Sequence, residues 1–326
     1  MEKKINEIIN YIIPYGYVKH KLTCREYFGE ESTIAPGLFN EFRQKMNIWY
    51  LQDRMCAHTP YTLVAGRFPQ RVLWDRFNKG LPIHFYTHDE MYYTSELCQK
   101  KYGILRESEV IVPQDYERAF REKAQLKEFN KIFTHSARIL DQFENAVFAP
   151  ANGVWYGTER NGGMMDESQC ERKSKYVSMV SSDKMMCSMH KIRIAIARHC
   201  MCSNKVDVYG KVSGSYIAHK ADALTDYRYS IAIENDTTPY YFTEKILDCF
   251  ASMTVPIYIG ATEIGKFFNL DGIIQVKKGN EEEIDRIIKN CCEQDYEERL
   301  PAVKDNYHRV MKYLCVEDYI TNNYEI

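Results

Sequence analysis

The densest group of polar residues that could do chemistry lies at positions 229–250, between an apolar strand pattern and an apolar helix pattern. Glu234 and Asn235 directly follow the apolar run 229–233, so we expect them at the carboxyl edge of a sheet, where open α/β proteins bind ligands. The helix pattern that follows begins with a hydroxyl, a carboxylate and an ammonium group, on Thr243, Glu244 and Lys245. These groups predict a site for a polar, negatively charged ligand.

The start of this helix suits a phosphate group. N–H groups in the first turn of a helix lack an intrahelical partner, and the helix dipole favours negative charge there. Lys245 adds a full positive charge, and Glu244 can accept hydrogen bonds from ribose hydroxyls or from a base. Asn235 and Tyr241 supply neutral donors. The alternative interpretation is a capped helix start whose charges are simply solvated.

The elements that position these residues alternate between strand and helix patterns. In the second half, strand patterns occupy 176–180, 206–209, 229–233, 255–259 and 273–276. Ser181, Ser182 and Asp183 offer N-caps for a helix that runs to about His199, and a second helix is predicted at 243–252. This alternation is typical of a doubly wound parallel sheet.

The first half shows the same alternation. Its strand patterns occupy 61–65, 72–74, 83–86, 103–105, 131–134 and 147–149, and a charged amphipathic helix is predicted at 115–128. The glycine-rich, charged stretch 152–173 predicts a linker between two domains. The chain of 326 residues is long enough for two domains of ordinary size.

Composition argues against a nucleic-acid partner. Lys and Arg total 43 and Asp and Glu total 45, which gives a net charge of −2, whereas a nucleic-acid binder usually has a basic excess. The 11 cysteines are odd in number and scattered, which predicts reduced thiols. Isoleucines near the N-terminus have helical spacing but are interrupted by Glu7 and Asn10, which predicts a packed amphipathic helix and no membrane span.

Three short motifs occur in a fixed order: Ile233-Glu234-Asn235, then Tyr241-Phe242-Thr243-Glu244-Lys245, then Val255-Pro256-Ile257-Tyr258-Ile259-Gly260. This series strongly resembles the donor-binding motif of glycosyltransferase family 10, the α-1,3-fucosyltransferases. The resemblance extends more weakly over about 176–276 and includes Val206-Asp207-Val208-Tyr209-Gly210. It is faint in the first half.

The resemblance implies an α/β protein of GT-B type, with two facing Rossmann-like domains and a cleft between them. Residues 1–160 would bind the acceptor, 170–300 would bind the nucleotide sugar, and 301–326 would be a helical C-terminal segment. The stretch 296–319 is predicted to be helical and to pack back across the domain junction.

The implied reaction is transfer with inversion, most simply of L-fucose from GDP-fucose to a hydroxyl of a glycan. No cofactor and no metal are expected, because the sequence has no clean Asp-x-Asp signature; Asp222 and Asp226 are not spaced for one. The chain shows no membrane anchor pattern, which favours a cytoplasmic enzyme of bacterial or viral type. The acceptor and the oligomeric state are left open.

The resemblance also implies roles for individual residues. Glu107 matches the strand-end acid that serves as the catalytic base, with Glu109 as the alternative; either carboxylate could take the proton of an acceptor hydroxyl. Arg193 stands where the family has a phosphate-binding arginine, with Arg198 as the competitor. The donor-binding residues are then Arg193, Tyr209, Glu234, Asn235, Tyr241, Thr243, Glu244 and Lys245.

Two other functions compete with this prediction. An exostosin-like glycosyltransferase would have the same architecture and use another donor, such as a UDP-sugar. A non-catalytic module that binds a sugar or nucleotide could keep the donor fold without the reaction. His88 and His135 are interpreted as structural residues, with His135 the next candidate base if neither Glu107 nor Glu109 serves.

Overall fold

The computed structural model describes residues 47–53, 69–75, 78–157, 163–203 and 205–326. The predicted N-terminal helix and the predicted strand at 61–65 lie outside these ranges, as does the centre of the predicted linker at 158–162.

The first half of the chain forms a parallel sheet with the strand order β2-β1-β3-β4-β5-β6. Its strands are β1 (Asn47–Gln52), β2 (Val72–Asp75), β3 (Ile83–Thr87), β4 (Lys100–Leu105), β5 (Lys131–Thr134) and β6 (Ala146–Phe148). β1 was not predicted, although it lies between β2 and β3 in the sheet. The helices of this half are α1 (Pro113–Arg121), α2 (Lys123–Leu126) and α3 (Ala137–Gln142).

Both faces of this sheet are covered. Neighbouring side chains along a strand point to opposite faces, and two separate apolar clusters result. Phe85 and Phe133 lie in one cluster, whereas Tyr86 and Ile132 lie in the other. A parallel sheet buried on both faces is expected for an α/β domain and agrees with the predicted fold class.

The second half forms another parallel sheet, with the order β11-β10-β9-β7-β8. Its strands are β7 (Lys175–Val180), β8 (Val206–Tyr209), β9 (Tyr227–Ile233), β10 (Val255–Ile259) and β11 (Ile274–Gln275). All seven residues of the central strand β9 are buried. The chain reverses its direction of winding between β7 and β9, which is where doubly wound sheets bind ligands.

The helices of the second half are α4 (Ser188–Met201), α5 (Glu244–Ala251), α6 (Glu281–Asn290), α7 (Glu293–Val310) and α8 (Val316–Asn323). The predicted helix at 243–252 is confirmed, with Thr243 as its N-cap.

Two helix predictions need correction. α4 begins at Ser188, not after Ser181-Ser182-Asp183, because the N–H of Ser181 still donates to the carbonyl of Tyr209 and prolongs the β7–β8 pairing. The helix predicted at 115–128 is interrupted at Glu122, whose backbone angles of −108° and 39° are not helical.

The C-terminal segment crosses back to the first sheet. Val316 and Ile320 of α8 belong to the apolar cluster on one face of that sheet. The indole N–H of Trp74 donates to Glu317 at 3.0 Å, and the backbone N–H of Gln70 donates to Asp318 at 2.9 Å. The segment therefore connects the two halves through packing and hydrogen bonds.

Candidate active site

Residues that follow strands of both sheets line one cleft of about 500 Å³. The first half contributes Glu107, which comes two residues after β4, and Asn152, which comes four residues after β6. The second half contributes Ser182 after β7 and Asn235 after β9. The cleft therefore includes the reversal point of the second sheet, where a ligand site is expected.

The start of α5 is organised around a buried carboxylate. Glu234 has no exposed surface and accepts hydrogen bonds from the N–H of Thr243 at 2.8 Å and from its hydroxyl at 2.6 Å. The ammonium group of Lys245 lies 3.4 Å from Glu234 and 3.3 Å from Glu244. Thr243 also caps the helix by accepting from the N–H of Lys245.

The charges of this group depend on one another. Burial raises the pKa of Glu234 above its ordinary value, while Lys245 acts in the opposite direction. Burial also favours the neutral forms of Glu244 and Lys245, but the neighbouring charges and hydrogen bonds together outweigh it. Lys245 and Lys220 lower the pKa of Glu244, and Glu244 and Glu234 raise the pKa of Lys245. Glu244 and Lys245 therefore carry opposite charges at the cleft.

Glu234 has a different position from the one predicted. It does not line the cleft but supports Thr243 and Lys245, which do. Gly260, in the third motif, leaves the space that the Glu234 side chain occupies. A Cβ at this position would come within 2.6 Å of Cγ of Glu234 and 2.2 Å of the Tyr258 hydroxyl. Two N–H groups at the helix start, of Thr243 and Lys245, also bond to protein, so they are not free for a phosphate as expected.

Arg193 lies in the cleft wall and is 5% exposed. Its guanidinium donates to the carbonyl of Ile233 at 3.3 Å, to Oδ1 of Asn235 at 3.2 Å and to the hydroxyl of Ser182 at 3.3 Å, all neutral acceptors. Among the described residues no carboxylate lies within 4 Å of it, and its Nε has no hydrogen-bond partner. Burial lowers its pKa, although Glu234 at longer range acts against this. A buried cation without a paired anion indicates a site for an anionic ligand.

Asn235 also lines the cleft, as predicted from its place after β9. Its Oδ1 accepts from Arg193 and from Nε2 of His190 at 3.0 Å. In the part of the chain that the structure describes, its amide N–H groups have no protein acceptor. Asn235 can therefore donate to a ligand while it holds Arg193 in place.

Glu107 lies on the opposite wall of the cleft. Its Oε1 accepts from the N–H of Ser108 at 2.9 Å and contacts the hydroxyl of Tyr241 at 3.5 Å. Tyr241 belongs to the second of the three sequence motifs and lies in the second half, so the two halves meet at this carboxylate. Burial raises the pKa of the Tyr241 phenol well above its ordinary value, so it stays protonated as a donor.

Glu109, the alternative base, is placed differently. Its carboxylate accepts from the hydroxyl of Ser136 and pairs with Arg138 at 2.9 Å, and it is not among the residues that line the cleft. Glu107 and Glu109 would point to the same side of an extended chain, but here the chain turns after Ser108, whose carbonyl accepts from the N–H of Ile111 at 3.1 Å, and the two carboxylates have different surroundings.

Tyr209 is not brought to the cleft lining. Its hydroxyl bonds to that of Tyr227 at 2.6 Å, and Tyr227 in turn donates to Asp207 at 2.6 Å. Asp207 and Tyr209 share a face of β8 because side chains alternate along a strand. The prediction that Tyr209 contacts the donor is not supported by this position.

Sequence reasoning missed Asn152, His190 and Lys220, which line the cleft together with Ser182 and Trp155. Lys220 forms no ion pair within 4 Å in the described ranges, so it adds another available cation. Its electrostatic influence reaches Glu244 and Asp248. No signal in the sequence marks Lys220, because it comes from the loop between β8 and β9 and its distance from α5 depends on the fold.

The segment after β6 is tied to α5 by two carboxylates. Glu244 accepts from the side-chain amide of Asn152 at 2.8 Å. Oδ1 of Asp248 accepts from the backbone N–H groups of Trp155 at 2.6 Å and Tyr156 at 2.8 Å. Burial raises the pKa of Asp248 from 3.8 to about 7, although Lys220 acts to lower it.

This pKa predicts a pH dependence of stability. Between about pH 4 and 7 folded Asp248 retains a proton that the unfolded chain has released, so the free energy of unfolding falls as the pH rises, by at most about 1.4 kcal/mol per pH unit. Asp248→Asn keeps the Oδ1 acceptor and does not titrate. In denaturant titrations from pH 5 to 8, the variant is expected to gain stability relative to the wild type up to about pH 7. If the unfolding free energies of the variant and the wild type changed equally with pH, the raised pKa of Asp248 would be contradicted.

In the described ranges no group of three or more His, Cys, Asp or Glu side chains is arranged to hold a metal ion. The cysteines of those ranges are all unpaired. No helix of the described chain combines the length and apolar character needed to cross a membrane.

Comparison with known proteins finds a family match over the region that contains the three sequence motifs. Residues 170–297 match the family described as glycosyltransferase family 10 (fucosyltransferase) C-term. An alpha-(1,3)-fucosyltransferase FucT of Helicobacter pylori is 36% identical over 76 residues, which are 23% of this chain and 16% of that protein. The chain thus matches only a small part of that relative's length.

Solved structures of glycosyltransferases, including two fucosyltransferases, resemble most of the fold. One is an alpha1,3-fucosyltransferase, with a TM-score of 0.50 and 17% identity over 78% of this chain and 80% of that chain. The other is an alpha1,3-fucosyltransferase with GDP, with a TM-score of 0.51 and 16% identity over 82% of this chain and 89% of that chain. Residues 170–297 thus match the C-terminal domain of glycosyltransferase family 10, and the chain shares the GT-B fold of these glycosyltransferases.

Proposed function

We propose that this protein is a glycosyltransferase that moves L-fucose from GDP-fucose to a hydroxyl of a glycan, with inversion and without a metal. One observation carries the proposal: a single cleft has cations on its second-half wall and the carboxylate of Glu107 on its first-half wall. The 3.5 Å contact between Tyr241 and Glu107 brings the two walls together.

The cations suit a diphosphate. Arg193 and Lys220 lack a carboxylate within 4 Å among the described residues, and Lys245 has 19% of its side chain exposed. A nucleoside diphosphate would supply the missing anion for Arg193, whose guanidinium matches phosphate geometry. GDP in the similar solved structure agrees with such a ligand.

Glu107 would act as the general base. As the acceptor oxygen attacks the anomeric carbon, its proton passes to the Glu107 carboxylate and the bond from that carbon to the phosphate oxygen breaks. Both electrons of that bond leave with GDP, and a single displacement inverts the anomeric centre. Arg193, Lys220 and Lys245 would stabilise the negative charge that develops on the leaving group.

These three cations are also the reason for proposing that no divalent ion is needed. They already provide positive charge where a metal would otherwise neutralise the diphosphate. We therefore expect the protein to bind the donor and to turn over in the presence of a chelator.

GDP-fucose is expected to stabilise the folded protein more than UDP-sugars do, in buffer that contains EDTA. A ligand at a hundred times its dissociation constant adds about 2.7 kcal/mol to the unfolding free energy. Thermal unfolding with GDP-fucose, GDP-mannose and UDP-glucose measures the preference, and GDP release with an oligosaccharide panel measures turnover.

The outcomes separate the competing functions. Stabilisation by UDP-sugars alone would favour the exostosin-like alternative. Tight binding of GDP-fucose without GDP release would favour a non-catalytic module. Turnover that stops in EDTA and returns with manganese would overturn metal independence.

A further inference from the structure

The backbone of Glu107 is held by three buried side chains. Nε2 of His88 accepts the N–H of Arg106 at 3.3 Å and the N–H of Glu107 at 3.2 Å. The carbonyl of Glu107 accepts from the hydroxyl of Tyr116 at 2.6 Å and from Nε2 of His135 at 3.2 Å. All three side chains are buried, so water does not compete for these bonds.

These hydrogen bonds indicate which ring nitrogen of His88 and of His135 carries a proton. Because Nε2 of His88 accepts two N–H groups, its ring proton lies on Nδ1, which is 3.0 Å from Oδ2 of Asp115. His135 donates through Nε2, and burial lowers its pKa to about 4. The three side chains thus hold both the backbone N–H and the backbone carbonyl of Glu107.

His88 adopts a backbone conformation that is uncommon for residues other than glycine. Its φ is +49°, in the left-handed region that favours glycine. Such a conformation costs free energy and persists only where surrounding contacts impose it. Here it directs the ring from the end of β3 to the end of the neighbouring strand β4, where Glu107 follows.

The contacts leave the reactive end of Glu107 available. They bind its backbone, while its Oε1 meets Ser108 and Tyr241. Its Oε2 accepts no hydrogen bond from any residue that the structure describes. A carboxylate held in this way can meet an acceptor hydroxyl without first breaking a protein contact.

We propose that His88, by accepting the N–H groups of Arg106 and Glu107, is a positioning residue that sets the Glu107 carboxylate for proton abstraction, assisted by Tyr116 and His135. This inference rests on the proposed function, because it takes Glu107 as the base. It assigns His88 and His135 a role beyond the structural one that the sequence predicted.

The test compares two replacements of similar size. His88→Gln retains an oxygen that can accept an N–H, whereas His88→Leu does not. His88→Leu is expected to lower kcat for GDP release about 10- to 100-fold, because small misplacement of a reacting group has effects of this size. KM for GDP-fucose should not change, and His88→Gln should recover part of kcat.

His84 offers a matched control. It is fully buried in β3, and its ring bonds to the hydroxyl of Tyr86 at 2.8 Å and to the carbonyl of Leu81 at 2.7 Å, away from Glu107. His84→Leu should lower stability and leave kcat of the folded protein unchanged. Equal losses of kcat in His84→Leu and His88→Leu would overturn the proposal, as would wild-type kcat in His88→Leu.

Tyr116→Phe covers the case in which His88→Leu does not fold. It removes only the hydroxyl that donates to Glu107 and keeps the ring, so its kcat should fall while donor affinity stays constant. Tyr86→Phe, which also removes a buried hydroxyl of the first sheet, is its control. Unchanged kcat in Tyr116→Phe would count against the proposal. An active Glu107→Gln enzyme would instead show that the proposed base is wrong.

Discussion

Glu107→Gln is expected to lower sugar transfer by about 10²–10⁴-fold and to leave donor binding at the wild-type level. The amide keeps the size of the carboxylate and an oxygen that can accept from Ser108 and Tyr241, as Oε1 does now. It cannot take the proton of the acceptor hydroxyl. GDP release with the oligosaccharide that supports wild-type turnover measures transfer, and titration with GDP-fucose measures binding.

Glu109→Gln is the matched control. Its carboxylate is two residues away and is bound to Ser136 and Arg138 rather than directed at the cleft. This variant should keep transfer within a few-fold of the wild type. An inactive Glu109→Gln beside an active Glu107→Gln would move the base by two residues. If both variants were active, neither carboxylate would be the base and His135 would be tested next.

Arg193→Gln is expected to weaken GDP-fucose binding by about 10- to 150-fold, because each charge-assisted hydrogen bond contributes roughly 1.5–3 kcal/mol. The same change should not lower the stability of the ligand-free protein. Burial lowers the pKa of Arg193, which means that the folded state is a poor environment for its charge. Without a ligand, a neutral side chain suits this position at least as well.

Two measurements test whether Arg193→Gln loses donor affinity without losing stability. Calorimetric titration gives donor affinity, and denaturant unfolding of the ligand-free protein gives stability. Arg198→Gln is the control, since Arg198 is exposed on the same helix α4 and does not line the cleft. Arg193 would be a structural residue if its variant bound GDP-fucose normally and unfolded more easily.

Much of the fold followed from local patterns. The strand patterns at 131–134, 206–209 and 255–259 coincide with β5, β8 and β10, because apolar, β-branched runs bounded by polar turns have few other stable conformations. The helix at 244–251 was equally clear, since an N-cap threonine preceded an apolar helical pattern. β1 and the interruption at Glu122 were missed, because both depend on packing against distant elements.

The sequence by itself determined most of the strands and helices and the motifs within residues 170–297, the part that matches glycosyltransferase family 10. Only the tertiary structure decided which side chains meet. It placed Glu234 beneath the helix start, turned Tyr209 towards Tyr227, brought Lys220 to the cleft and separated Glu107 from Glu109. The physical reason is that periodicity specifies the face of an element, whereas burial and the nearest charge depend on residues far away in sequence.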